Sequence, residues 1–224
     1  KYSIAWGIAR ATAAAGAQLV LTYQNERLER NVRELAATLA DPLVLPCDVT
    51  DDEQIAAVYR QVEQELGSLD FLVHSVAFAR SDDLGGRYLE TSRDGFHLAL
   101  DISAYSLLAV TRPAVPLMKN GGSVVTMTYL GSERATPGYN VMGVAKAALE
   151  ASVRYLAADL GADGIRVNAI SAGPINTLAA RGVKGFVQMR GQFRERNPLH
   201  RDVDAQDVGD AALYLLSDLS RSVT

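Results

Sequence analysis

Five short runs of apolar, largely β-branched residues alternate along this chain with longer stretches of helical periodicity, and such alternation calls for a parallel sheet covered by helices on both faces. The runs fall at residues 19–23, 43–46, 71–76, 123–128 and 165–171. Between the first two, Leu28, Val32, Leu35 and Leu39 recur at helical spacing, so a helix over 26–39 buries one face. A capping box from Thr50 to Glu53 predicts the start of the next helix, which continues through Ile55, Val58 and Val62 and stops at Gly67. Further helices are predicted over 96–117, 139–160 and 205–216. No repeat or linker interrupts the pattern. One α/β domain over 1–224, a doubly wound parallel sheet with helices on both faces, is the expectation.

A fold of this kind normally opens with a buried strand and a glycine-rich turn onto a helix N-terminus. Here Ser3-Ile4-Ala5-Trp6-Gly7-Ile8-Ala9 already reads as the back of that turn entering a helix. The first strand is therefore expected to be missing from this chain, with another missing after Thr224.

With 48% hydrophobic residues the chain can build a large core, while a formal charge of -4 offers no footprint for nucleic acid or an anionic membrane. Arg181, Lys184, Arg190, Arg194 and Arg196 lie close together, and read either as a docking patch for an acidic protein or as a solvated helix face. Cys47 is the single cysteine, so no intrachain disulfide forms and a reducing, cytoplasmic setting fits. No apolar run approaches the roughly 18 residues of a membrane span. The three histidines, His74, His97 and His200, are scattered, and no metal site is expected.

Ligands of doubly wound sheets lie across the carboxyl ends of the strands. After the second strand of such a fold comes Tyr23-Gln24-Asn25. Gln24 is neutral where a basic residue would bind a 2′-phosphate, which favours NADH over NADPH, although Arg27 or Arg30 could reach in. Cys47-Asp48-Val49 offers a carboxylate and an amide to an adenine edge, or simply a helix cap. His74 to Ala79 brings small residues to a place where main chain can approach a flat ligand. Gly173-Pro174-Ile175-Asn176-Thr177-Leu178-Ala179 stops the last run and exposes amides and a hydroxyl to a carboxamide or pyrophosphate.

Tyr139 and Lys146 stand seven residues apart on one predicted helix, close to two turns, and so share a face. An ammonium near a phenol favours the phenolate and can hold ribose hydroxyls at the same time. Taken alone, the pair reads as a packed tyrosine and a solvated lysine; following these strand ends, it reads as a proton donor.

Tyr139-Asn140-Val141-Met142-Gly143-Val144-Ala145-Lys146 resembles the Tyr-x6-Lys signature of the enoyl-acyl carrier protein reductases, within the short-chain dehydrogenase family and its Rossmann-type fold. The resemblance extends through Ser3-Ile4-Ala5, Thr22-Tyr23-Gln24-Asn25, Cys47-Asp48-Val49, His74-Ser75, Tyr129 and Ser171-Ala172-Gly173-Pro174-Ile175. Most short-chain dehydrogenases use Tyr-x3-Lys, and Met142 occupies that position here. The longer spacing has a chemical reason. Ketone reduction needs its donor beside the carbon that takes hydride, whereas an enoyl thioester takes hydride at C3 and develops charge on the C1 oxygen. Three residues of helix, roughly 4.5 Å of rise, move the hydroxyl by about that offset.

The resemblance implies NAD(H) as cofactor and an enoyl thioester on acyl carrier protein as substrate, in type II fatty acid synthesis. It implies Tyr139 at the thioester oxygen, Lys146 at the nicotinamide ribose and Tyr129 as a second active-site tyrosine. Ser3 and Ile4 are expected at the pyrophosphate, Gln24 near the adenosine, Asp48 and Val49 at adenine, and Val76 beside the ribose. Ile175, Asn176, Thr177, Leu178 and Ala179 are expected around the nicotinamide and phosphates, with the Ala79 main chain touching substrate. Residues 177–196 resemble a substrate-covering loop, and relatives are usually homotetramers built through the helices at 96–117 and 139–160. Ala77 stands where many relatives have glycine. Two rival readings stand beside this one: a carbonyl or alcohol dehydrogenase, with which Met142 conflicts, and an inactive nucleotide-binding protein.

Overall fold

The computed structural model describes residues 3–177, 180 and 186–224. Helix α1 (Ile4–Ala14) begins at Ser3, whose hydroxyl accepts from the Trp6 amide, and strand β1 (Val20–Tyr23) follows. Then come α2 (Glu26–Ala36), β2 (Leu43–Pro46), α3 (Asp52–Leu66) and β3 (Phe71–His74). The short α4 (Ser81–Leu84) precedes α5 (Arg93–Leu100), a π-helical turn (Asp101–Tyr105) and α6 (Ser106–Ala114). Strand β4 (Gly122–Thr128), α7 (Asn140–Leu160), β5 (Ile165–Ser171), α8 (Phe186–Arg196) and α9 (Ala205–Leu216) complete the chain.

All strand pairings are parallel, as the alternation demanded, but the sheet is in two pieces, β1-β2 and β3-β4-β5. No described strand links β1 to β3. Apolar packing joins the halves instead: Val58 and Val62 of α3, with Leu117, touch Val20 and Leu45 on one side and Leu69 on the other. The main core lies between α7 and β4-β5, where Leu107, Val124, Leu149 and Val167 are sealed from solvent. α1 packs against α9 so closely that a methyl on Gly7 would come 2.0 Å from the Ala205 carbonyl oxygen.

Several local expectations are corrected. Asp51, not Thr50, caps α3, its carboxylate accepting from the Glu53 and Gln54 amides; Gly67 does end the helix, with φ 73°. The helix expected over 96–117 starts at Arg93 and is broken by the π-turn. It is also, by length and composition, long and apolar enough to cross a membrane, contrary to the sequence count. More than half of its most apolar window is buried inside the protein, which accounts for that composition. Among the described residues no group of three His, Cys, Asp or Glu side chains could hold a metal ion.

Candidate active site

The carboxyl ends of β1 and β2 bring Gln24 and Asp48 together. The Gln24 Nε2 donates to Asp48 Oδ2 at 3.2 Å. Asp48 also accepts from the Thr50 amide at 3.0 Å and the Thr50 hydroxyl at 2.8 Å. Partial burial pushes this carboxyl up, but these donors together hold it below the usual carboxylate range. Asp48 therefore folds its own turn rather than capping α3, and it presents a fixed negative edge. Val49 packs beside Ile55 and Val110.

At the ends of β3 and β4 the side chains are buried. His74, 2% exposed, lies 2.8 Å from both the Thr126 and the Ser106 hydroxyls. Ser106 gives its proton to the Ile102 carbonyl at 2.6 Å, so it accepts from His74 Nε2–H. Nδ1 is then the acceptor for Thr126. Burial first, and the Lys146 charge second, hold this imidazole neutral, with its pKa lowered to about 3. The loop beyond His74 is pinned by Ser103 in the π-turn, whose hydroxyl accepts from the Phe78 amide at 2.9 Å and faces its carbonyl at 3.1 Å. Val76 and Ala79 flank that clamp. The π-turn aims Ser103 at this loop and leads into α6, whose first residue Ser106 meets His74, and local disruptions of this type recur where function needs them.

Lys146, 5% exposed, donates to the Met127 carbonyl at 2.7 Å. Burial lowers its pKa to about 8, against an upward pull from Glu150. Tyr139 is the N-cap of α7, not a residue within it, and Asn140 has φ 32°. Asn140 Nδ2 donates to the Gly85 carbonyl at 3.0 Å, which fixes that left-handed corner. The Tyr139 ring meets Tyr129 edge-on, with centroids 5.1 Å apart. It lies in a slot where a methyl on Gly131 would be 2.4 Å from its Cδ1.

The Tyr139 hydroxyl is pushed above the ordinary phenol range, by burial first and Tyr129 second. That direction keeps the phenol protonated, in keeping with the proton donor expected from the sequence. Tyr129, also raised by burial, donates to Met189 Sδ on α8 at 3.1 Å. α8 crosses the exit of β5 as well, where a methyl on Gly173 would strike Phe193 at 2.8 Å.

Ile4 and Ile175 both join the apolar cluster between β4 and α9, and the Thr177 hydroxyl accepts from the Ala180 amide at 3.1 Å. Asn176 is exposed. Leu178, Ala179, Arg181 and Lys184 lie outside the described residues. Sequence reasoning missed Ser103, Ser106, Gly131, Gly143, Met189 and Glu150. Of these only Glu150 had a readable signal, its place one helical turn after Lys146.

A parallel sheet with a phenol, an ammonium and a carboxylate at its carboxyl ends defines a Rossmann-type reductase of the short-chain dehydrogenase class. The family model for enoyl-(acyl carrier protein) reductase matches residues 1–224, and the chain belongs to that family. It is 58% identical over 224 residues to the NADH enoyl-(acyl carrier protein) reductase FabI of Bacillus cereus, a match covering 99% of this chain and 88% of that protein. The Bacillus subtilis NADH enzyme is 54% identical over 226 residues, 100% of this chain and 88% of that protein. The crystal structure of the Bacillus cereus reductase with NADP+ and indole naphthyridinone superimposes with a TM-score of 0.98 at 58% identity, covering 100% of this chain and 88% of that one.

Proposed function

We propose that this chain reduces the C2–C3 double bond of a trans-2-enoyl thioester on acyl carrier protein with NADH, in type II fatty acid synthesis. The observation that carries the reading is the half-buried Tyr139 phenol, kept protonated and wedged edge-on against Tyr129. Bound NADH would supply the hydride that C3 accepts. Tyr139 donates a hydrogen bond to the thioester oxygen and stabilises the enolate charge that forms there. Tyr129 closes the other side of the acyl group, beneath α8. Lys146 spends one proton on Met127 and has the remaining donors of an ammonium for ribose hydroxyls, so this donor set fits the cofactor.

Ser3 and Ile4 at the α1 N-terminus serve the pyrophosphate, and Gln24, Asp48 and Val49 the adenosine. Val76 serves the ribose, and Ile175, Asn176, Thr177, Leu178 and Ala179 the nicotinamide side. The Ala79 main chain touches the acyl group. Residues 177–196 cover the site and exclude water. Arg190 is paired with Asp202, which leaves Arg194 and Arg196 as the cations of α8 offered to an acidic carrier protein. The assembly is a homotetramer through α7 and the Arg93–Leu117 helix, working in the cytoplasm.

Following NADH and NADPH oxidation with crotonyl and acetoacetyl thioesters tests the reading. Turnover of the crotonyl thioester with NADH is expected, and Tyr139→Phe should lower kcat about 10²- to 10³-fold while NADH still binds. Preference for the acetoacetyl thioester, or an unchanged rate in Tyr139→Phe, would overturn it.

A further inference from the structure

Glu150 stands on α7 one turn beyond Lys146, and its Oε1 receives two short hydrogen bonds, from the hydroxyls of Thr128 and Ser132, each at 2.6 Å. Ser132 also lies 2.9 Å from the Tyr129 carbonyl, but it has one proton, and the charged carboxylate is both nearer and the stronger acceptor. Thr128 is the last residue of β4 and Ser132 ends the short turn after it, so the two donors bracket Tyr129 in sequence. One oxygen atom thus ties both ends of the corner that presents Tyr129. The same side chain acts electrostatically on Lys146, whose ammonium is buried.

We propose that Glu150 is a positioning residue for the reaction: its carboxylate anchors the Tyr129 corner and supplies the counter-charge for Lys146. The inference rests on the functional reading above, which places Tyr129 at the acyl group and Lys146 at the ribose. The other charge-bearing groups near this end of α7 do not replace Glu150. His74 on β3 and the Tyr129 and Tyr139 phenols are neutral, Asp83 of α4 and Asp101 of the π-turn sit on other elements packed against α7, and Glu150 is the charged group that raises the Lys146 pKa.

Two variants of the full chain separate the roles. Glu150→Gln keeps an acceptor oxygen for Thr128 and Ser132 and removes only the charge. If that lowers the Lys146 pKa by about one unit from about 8, the protonated fraction falls roughly eightfold near pH 8.5 and hardly changes near pH 6. NADH affinity should follow that curve. Thr128→Val combined with Ser132→Ala keeps the charge and frees the corner, so kcat with crotonyl thioester should fall about tenfold at every pH, with NADH affinity retained. A Glu150→Gln protein whose NADH affinity matches the wild type at all pH values, or is offset equally at all of them, would overturn the counter-charge. An unaltered kcat in the double variant would overturn the anchor. A wild-type protein that binds NADH without reducing crotonyl thioester would refute the parent reading alone, because the NADH titrations of Glu150→Gln would still decide the counter-charge.

Discussion

His74 makes the stability of this protein depend on pH in a window where surface histidines would not. Its pKa is lowered to about 3 from the ordinary 6.5, so between these values the unfolded chain binds a proton that the folded chain refuses. Stability therefore rises with pH through this window and is lost as the pH falls from about 6.5 toward 3. From pH 7.5 to pH 5 the loss follows the protonation of the unfolded imidazole alone and comes to about 2 kcal/mol. Other carboxylates titrate over the same range, so the measurement is a difference against His74→Asn. Its amide oxygen can still accept from Thr126, but it cannot titrate, and it leaves the Ser106 side of the network unfilled. That variant should be less stable than wild type by about 1–3 kcal/mol at pH 7.5, and the gap should close by about 2 kcal/mol at pH 5. Urea unfolding followed by the fluorescence of Trp6, the only tryptophan, reads both at fixed protein concentration. A gap that stays constant from pH 7.5 to 5 would refute the buried, neutral assignment.

Two further outcomes follow from the site's packing. Gly131→Ala would place a methyl 2.4 Å from the Tyr139 ring, so the phenol must shift; kcat should fall about 10²-fold with NADH binding intact, and an unchanged kcat would show that the slot does not position Tyr139. Ser103→Ala removes the clamp on the Phe78 amide and carbonyl, which should cost about 1–3 kcal/mol in urea unfolding and raise KM for the crotonyl thioester more than KM for NADH.

The fold was legible because its signals are local. β2 and β5 begin and end where the β-branched runs at 43–46 and 165–171 do, and α9 spans its periodic segment, 205–216. What escaped were features decided by partners far along the chain. The π-turn carries no distinctive residues, and it is recognisable only because Ser103 must meet the Phe78 loop and Ser106 the end of β3, some 25 to 32 positions earlier. Asp51 rather than Thr50 caps α3 because Asp48 has already claimed the Thr50 hydroxyl. The candidate residues were found as strand ends, but their pairings were not: nothing in the sequence joins Gln24 to Asp48, or Tyr129 to Met189 on α8.

The tyrosine itself shows how far spacing can be trusted. Counting seven residues along an unbroken helix puts Tyr139 and Lys146 on one face, two turns apart. In the structure Lys146 is helical but Tyr139 is not, and the φ of 32° at Asn140 takes the phenol out of helical phase. Its position therefore cannot be set by α7 alone. The Asn140 amide on the Gly85 and Gly86 carbonyls fixes the corner from one side. Gly131 opens the slot from the other, its carbonyl lying so near Gly143 that a methyl there would meet it at 2.7 Å. A longer Tyr-to-Lys spacing is thus compatible with a phenol held by loops on both sides of the cleft while the ammonium stays fixed to the end of β4. The two groups can then serve atoms at different places on the substrate and cofactor without sharing a proton.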